Sequence, residues 1–274
     1  MIIVPFFSLA VFGSLLSGYA VFVEPRIIMI AEYEIMSNNL PETFDGTRIA
    51  LITDIHHGSL RTYDLLDQMV SLIMEQSPDL ILLGGDYARE HQAALNACFT
   101  KLSELEAPLG VYAVLGNHDY WDLPQMRQAI ADAGILLLEN EAVWLEEGGK
   151  RILLVGAKDL WCDQQSLAGQ RRKLAESDFT ILLSHNPDNY DATTPTDRKH
   201  IDLMLSGHTH GGQVTLFGFY APVKTAKAEY TSGYVQSDDG RTHIVVSNGV
   251  GTVGLPIRFF ARPQIVLVTL KKSP

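Results

Sequence analysis

The sequence predicts an α/β fold, a four-layer α-β-β-α sandwich in which two mixed β-sheets lie between layers of helix and a hydrophobic helix precedes them. Three observations predict it. Short apolar runs of buried-strand type alternate with segments of helical spacing as far as residue 205, and mostly strands follow from there to the C-terminus. Five of the apolar runs end in Asp, Asn or His. The composition agrees, since 46% hydrophobic residues in a chain of 274 supply a sizeable core. A balance of 21 Lys+Arg against 32 Asp+Glu, net −11, argues against holding nucleic acid mainly through its phosphates.

Met1–Val23 contains no charged side chain. As a helix it would span about 35 Å, enough for a hydrocarbon core of about 30 Å, so a retained membrane anchor or uncleaved signal is expected over residues 1–23 and a soluble body over 24–274. The competing readings are a cleaved signal peptide, with Gly18-Tyr19-Ala20 as its site, and a buried helix. Arg26, the basic residue close to the segment, favours a body on the cytoplasmic side of a cell membrane.

Ile27–Ile30 and Glu32–Ile35 read as a strand and Asp45-Gly46 as a turn. Arg48–Thr53 is a buried strand ending in Asp54-Ile55-His56-His57-Gly58. Leu65, Leu66, Met69, Val70 and Ile73 give Tyr63–Gln76 helical spacing, which Pro78 closes. Leu80–Leu83 is a second buried strand, ending in Gly84-Gly85-Asp86, and a helix is expected over Gln92–Leu105. The strand Val111–Leu115 runs into Gly116-Asn117-His118-Asp119, followed by a helix over Leu123–Ala133. Val143–Leu145 and Ile152–Val155 flank Glu147-Gly148-Gly149-Lys150 as a hairpin, and Gln164–Glu176 reads as a polar helix. Phe179–Leu183 ends in Ser184-His185-Asn186-Pro187, and Ile201–Leu205 runs on to Gly207-His208-Thr209-His210-Gly211-Gly212. Strands are expected around Val214–Leu216, Tyr230–Val235, His243–Ser247 and Gln264–Leu270.

In open α/β sheets ligands gather at the carboxyl ends of the strands, so Asp54/His56, Asp86, Asn117/His118, His185 and His208/His210 are expected to converge on one crevice. Extended backbone alternates its side chains, so Asp54 and His56 share a face, as do His208 and His210, while His57 points away as an outlying or surface histidine. The donors are oxygen and nitrogen with no thiolate, which suits Mn, Fe, Zn or Co. These groups are too many for one ion and divide over two if a carboxylate bridges them. Cys98 and Cys162 form no C-x-x-C pattern and read as buried thiols or as one disulfide.

Asp-x-His, Gly-Asp, Gly-Asn-His-Asp, a lone His after a strand and Gly-His-x-His, in that order over residues 48–213, resemble the calcineurin-like metallophosphoesterases. The N-terminal apolar segment, Glu24-Pro25, Leu-Ser-His-Asn-Pro-Asp and Arg-Pro-Gln-Ile are similar to a bacterial membrane-associated subgroup. The resemblance implies two divalent metal ions, Asp54, His56, Asp86 and His210 on one, and Asp86, Asn117, His185 and His208 on the other. It also implies in-line attack at phosphorus by a water between the ions, with His118 as acid or electrostatic stabiliser near the leaving group, oriented by Asp119. Leu115 stands where phosphomonoester-cleaving relatives carry an arginine before Gly-Asn-His, and Arg89 is one position early, so a phosphodiester or pyrophosphate substrate is expected, lipid-linked if the anchor is present. The alternatives are hydrolysis of UDP-2,3-diacylglucosamine in lipid A synthesis, as in similar relatives, and a catalytically inactive metal-binding scaffold. Val253–Arg262 reads as a membrane-surface or acyl-groove stretch, or as a connection burying Phe259 and Phe260, and Lys224 and Lys227 as phosphate contacts or surface lysines.

Overall fold

Strands buried on both faces, and divided between them at period two, build the centre of the molecule. The computed structural model describes residues 3–58, 63–215 and 228–274. Among them the chain runs through α1 (Ile3–Phe22), β1 (Met29–Ser37), β2 (Arg48–Ile52), α2 (Tyr63–Glu75), β3 (Leu80–Leu83), α3 (Gln92–Leu102), β4 (Val111–Ala113), α4 (Leu123–Asp132) and β5 (Leu136–Leu137). It continues through β6 (Glu141–Glu147), β7 (Lys150–Gly156), α5 (Arg171–Glu176), β8 (Thr180–Leu183), the one-turn α6 (Asn189–Ala192) and α7 (Pro195–Arg198), β9 (Leu203–Ser206), β10 (Gly233–Gln236), β11 (His243–Val246) and β12 (Gln264–Lys272).

Two six-stranded sheets result, in the orders β1-β12-β2-β3-β4-β5 and β10-β11-β9-β8-β7-β6. Both are mixed: β12 runs antiparallel to β2 in the first, and β6 to β7 and β10 to β11 in the second. Ile49, Leu51, Leu80 and Leu82 face Leu154, Ile181, Leu183 and Leu205 across the space between the sheets. The alternate residues Ala50, Ile52, Ile81 and Leu83 turn outward under α2, α3 and α4, where they meet Leu66, Met69, Leu95 and Met126. On the other outer face Leu153, Val155, Leu182 and Met204 pack with Leu174 and Tyr190. The four-layer α-β-β-α sandwich expected from the sequence is the fold observed.

Some elements differ from expectation. Between Gln164 and Glu176 only α5 is α-helical, after a short 3-10 turn at Ala168–Gln170. Asn140 is the cause: its side-chain oxygen takes the N–H groups of Lys158 and Ser166, which holds the preceding segment as a loop. The two-residue β5 was not foreseen, and Val214 forms a single bridge to Phe259 rather than a strand. Leu216, Lys224 and Lys227 lie outside the described residues. Both cysteines are free thiols, Cys98 buried and Cys162 exposed, so the disulfide alternative falls.

The membrane anchor and the cell-membrane location are also corrected: among the described residues no helix is long and apolar enough to cross a membrane. The C-terminal end of α1 is instead joined to the body. Ala20 is buried and its carbonyl accepts the Arg258 N–H at 3.1 Å, while the buried Glu24 carboxylate accepts the Ala261 N–H at 2.8 Å.

Candidate metal centre

The loops that leave β2, β3, β8 and β9, together with the turn after β4, meet at the carboxyl edges of the two sheets. Asp54, Asp86 and His185 are essentially fully buried, and His56, His208 and His210 nearly so, whereas Asn117 and His118 are half-buried. Asp54, His56, Asp86, His208 and His210 all hold positive φ, at 53°, 44°, 58°, 71° and 53°. Left-handed backbone costs a non-glycine residue about 1–3 kcal/mol, so the loops carry strain where the donors stand. The extended backbone assumed from the sequence is therefore not what turns these side chains inward.

Backbone bonds between the loops hold this conformation. Asp54 N–H donates to Gly85 O and His56 N–H to Asp86 O, tying the ends of β2 and β3 together. Asp54 accepts the Thr53 hydroxyl at 2.7 Å and the His208 N–H at 2.9 Å, joining the first sheet to the second. Glycine is required beside Asp86, because a Cβ on Gly85 (φ +93°) would strike the backbone of Gly116, and one on Gly116 would strike the Asp86 carboxylate.

The donor atoms form two connected groups. In the first, His210 Nε2 lies 3.3 Å from Asp54 Oδ1 and 3.2 Å from His56 Nε2, which lies 3.4 Å from Asp86 Oδ2. In the second, His185 Nε2 lies 3.4 Å from that same Asp86 Oδ2, 3.2 Å from Asn117 Oδ1 and 3.2 Å from His208 Nδ1. Asp86 Oδ2 is common to both. Atoms sharing an ion at bonds of about 2.1 Å stand about 3.0–3.4 Å apart in octahedral or tetrahedral arrangements, so these spacings fit two divalent cations. Each pair of facing ring nitrogens is a hydrogen bond if one of them carries a proton and a pair of ligands for one ion if neither does. His185 Nδ1 lies 2.8 Å from Gly84 O, which places its proton there and leaves Nε2 as donor. Asp54, His56 and His210 by themselves, and Asp54, Asp86 and His185, are close enough to hold an ion.

Electrostatics agree. Burial lowers the pKa of His56 in spite of the nearby carboxylates, and burial with the adjacent His56 and Arg258 takes His210 well below its usual value. Burial and the neighbouring His185 bring His208 down to about 4. All three are neutral imidazoles ready to ligate. His185 is the exception: burial opposes its charge, but the Asp86 carboxylate against it outweighs burial and lifts its pKa to about 10. Asp86 is correspondingly held far below the carboxylate range, burial being overcome by His185 and His56.

His118 lies beside this cluster, its ring 5.1 Å from that of His56 and its backbone N–H on Asp86 Oδ1 at 2.8 Å. Asp119 does not orient it as expected. Its two oxygens accept the backbone N–H groups of Asp86, Tyr87 and Gly116 at 2.7, 3.0 and 2.8 Å, because the turn aims the carboxylate back into the loops. Burial and the nearby Asp86 charge raise its pKa to about 7. His57 is buried rather than at the surface, its backbone paired beside Tyr87 and Ala88. Two residues at the centre escaped the sequence reading. Trp161 is exposed and stands edge-to-face with His208 at 4.3 Å, and Arg258 is wholly buried while Phe260 is exposed, which departs from the alternative that buries both Phe259 and Phe260.

Two sheets meeting at a cluster of this kind define a metal-dependent phosphoesterase. A family model for calcineurin-like phosphoesterases matches residues 47–212, more than half of the 274-residue chain, and the chain belongs to that family. It is 35% identical to the uncharacterized metallophosphoesterase YkuE of Bacillus subtilis (strain 168), over 93% of this chain and 90% of that one. It is 33% identical to the phosphodiesterase YaeI of Escherichia coli (strain K12), over 81% of this chain and 82% of that one. A solved dimetal phosphatase from Danio rerio shares the fold with a TM-score of 0.53 at 14% identity, over 75% of this chain and 88% of that one. Two divalent metal ions are expected for the family, and the residues above form a candidate dinuclear centre.

Proposed function

We propose that the protein hydrolyses a phosphodiester, with Asp54, His56, Asp86 and His210 holding one divalent ion and Asp86, Asn117, His185 and His208 the other. The observation that carries the choice of substrate is the cleft beside His56. A cavity of about 360 Å³ opens there, lined by His118, Arg89, Glu90 and Val253 among others, and Arg89 is the only guanidinium or ammonium group among its described lining residues. The ions and His118 would face either ester alike, but a monoester dianion would bring a second negative charge beside Glu90 with no second guanidinium or ammonium group among the described lining residues to meet it, which favours the diester monoanion.

Divalent ions held by these residues would supply Lewis-acid charge at phosphorus and an acidified water as nucleophile. The chain's own residues do the rest. Arg89, exposed at the mouth of the cleft, meets a non-bridging phosphate oxygen. His118, whose backbone is tied to Asp86, gives a proton to the departing alkoxide. Asp119 keeps the turn that carries Asn117 and His118 in register with Asp86. The complete donor set and the presence of His118 support catalysis over an inactive scaffold. The UDP-2,3-diacylglucosamine reading loses the anchor that motivated it.

The test is a hydrolysis panel on the purified protein supplied with divalent metal. Bis-p-nitrophenyl phosphate should exceed p-nitrophenyl phosphate in kcat/KM by about tenfold or more, a difference of about 1.4 kcal/mol. Preference for the monoester would overturn the choice of substrate.

A further inference from the structure

Arg258 is wholly buried, and among the described residues every hydrogen bond of its side chain ends on a backbone carbonyl. Nε donates to Gly251 O at 3.0 Å. Nη1 donates to Ala261 O at 2.6 Å and His210 O at 3.3 Å. Nη2 donates to Asn248 O at 2.9 Å, Gly249 O at 3.2 Å and Gly251 O at 2.5 Å. Burying a guanidinium is costly unless its N–H groups are satisfied, and only a planar fork with five of them can serve so many acceptors at once.

Ala261 lies on the same stretch as Arg258, and the other carbonyls it gathers belong to two places. One is His210 itself. The other is the loop Asn248–Gly251, which lies against Asp54: Val250 N–H donates to Thr53 O and Gly251 N–H to Asp54 O at 2.7 Å. A Cβ on Gly249 (φ +65°) would stand 2.5 Å from the Asp54 Cβ, so this loop has no room to move toward the carboxylate. Asp54 and His210 face each other at 3.3 Å. His185, in contrast, bonds Gly84, Gly207, Asn117 and His208, none of which Arg258 touches, and His208 reaches the part that Arg258 holds only through its backbone N–H on Asp54, not through its ring.

We propose that Arg258 is a positioning residue for one half of the dinuclear centre, holding Asp54 and His210 in their strained conformations so that the ion they share is bound tightly, while the ion on His185 and His208 does not depend on it. This rests on the ligand assignment made above. Supports of this kind behind metal ligands are worth about 10–100-fold in affinity.

The experiment is a Mn²⁺ titration of the metal-free protein, followed by calorimetry and by electron paramagnetic resonance, which distinguishes a coupled Mn pair from a single ion. The wild type should take two ions and show the coupled signal. Arg258→Lys keeps the charge with fewer donors, and should bind one ion as the wild type does and the second about 10–100-fold more weakly, with the isolated-ion signal replacing the coupled one at limiting metal. Arg258→Met should extend the loss. Glu24→Gln loosens the same stretch through its contact with Ala261, and should reproduce the selective loss at smaller size even if both Arg258 variants fail to fold. Equal weakening of both ions would mean general loosening, and unchanged binding in every folded variant would mean no positioning role; either overturns the proposal. A wild type that takes a single ion would instead overturn the ligand assignment.

Discussion

His118, the proposed leaving-group acid, lines the cleft while its ring takes no place among the donors, so its substitution tests leaving-group chemistry apart from metal assembly. His118→Asn should leave metal content unchanged and lower kcat by roughly 10²–10⁴ on an alkyl diester, whose alkoxide needs a proton to depart. On a p-nitrophenyl diester, whose leaving group hardly needs one, the loss should be much smaller. Equal losses would point to charge stabilisation rather than proton donation. Asp119→Asn supplies the contrast. It removes a charged acceptor of three backbone N–H groups and should lower stability without changing the ratio of rates on the two substrates. A changed ratio would restore Asp119 as the partner of His118.

Among the elements, β2, β3, β8 and β9 were legible because a short apolar run followed by Asp or His reads the same whichever face of the strand is inside. That β2 with β3, and β8 with β9, end at one edge of their own sheet follows from their parallel pairing. The loop conformations were not legible. Periodicity carries no information on positive φ, so the extended backbone expected at Asp54, His56, His208 and His210 is replaced by left-handed turns, and Asp86 shares that conformation. Arg258 was missed because an arginine reads as surface; the available signal was its place behind a glycine-rich turn, Gly249 to Gly254, whose carbonyls need donors. The same failure colours α1. Read as an anchor, it would be dispensable throughout, but Ala20 and Glu24 hold the stretch that carries Arg258. Removal of residues 1–18 should leave melting temperature and metal stoichiometry unchanged. Removal of residues 1–26 should weaken the ion assigned to Asp54 and His210, as seen in a Mn²⁺ titration, and an unaltered second ion in that protein would show that the docking does not reach the centre.

At the scale of the whole molecule, six of the seven candidate ligands are buried, so folding and metal loading are one linked equilibrium. Protons compete in it. In the metal-free protein His56, His208 and His210 are neutral at pH 7, whereas His185 keeps its proton until about pH 10 because Asp86 faces it. A raised histidine pKa stabilises the metal-free fold fully below the ordinary value of 6.5, and that contribution fades as pH rises through about 10. Metal must displace this proton, so between pH 7 and 9 the logarithm of the association constant should rise by about one per pH unit. Below about pH 7 Asp119 is protonated as well, held so by burial and the Asp86 charge. Cations on Asp86 would relieve that repulsion and release a second proton, steepening the dependence toward about two per unit. The gain in melting temperature on adding metal should therefore grow from pH 6 to pH 9. Calorimetry in buffers of different ionisation enthalpy counts the protons directly. A pH-independent affinity across that range would mean that His185 is already neutral, and that its contact with Asp86 in the metal-free protein is not an ion pair.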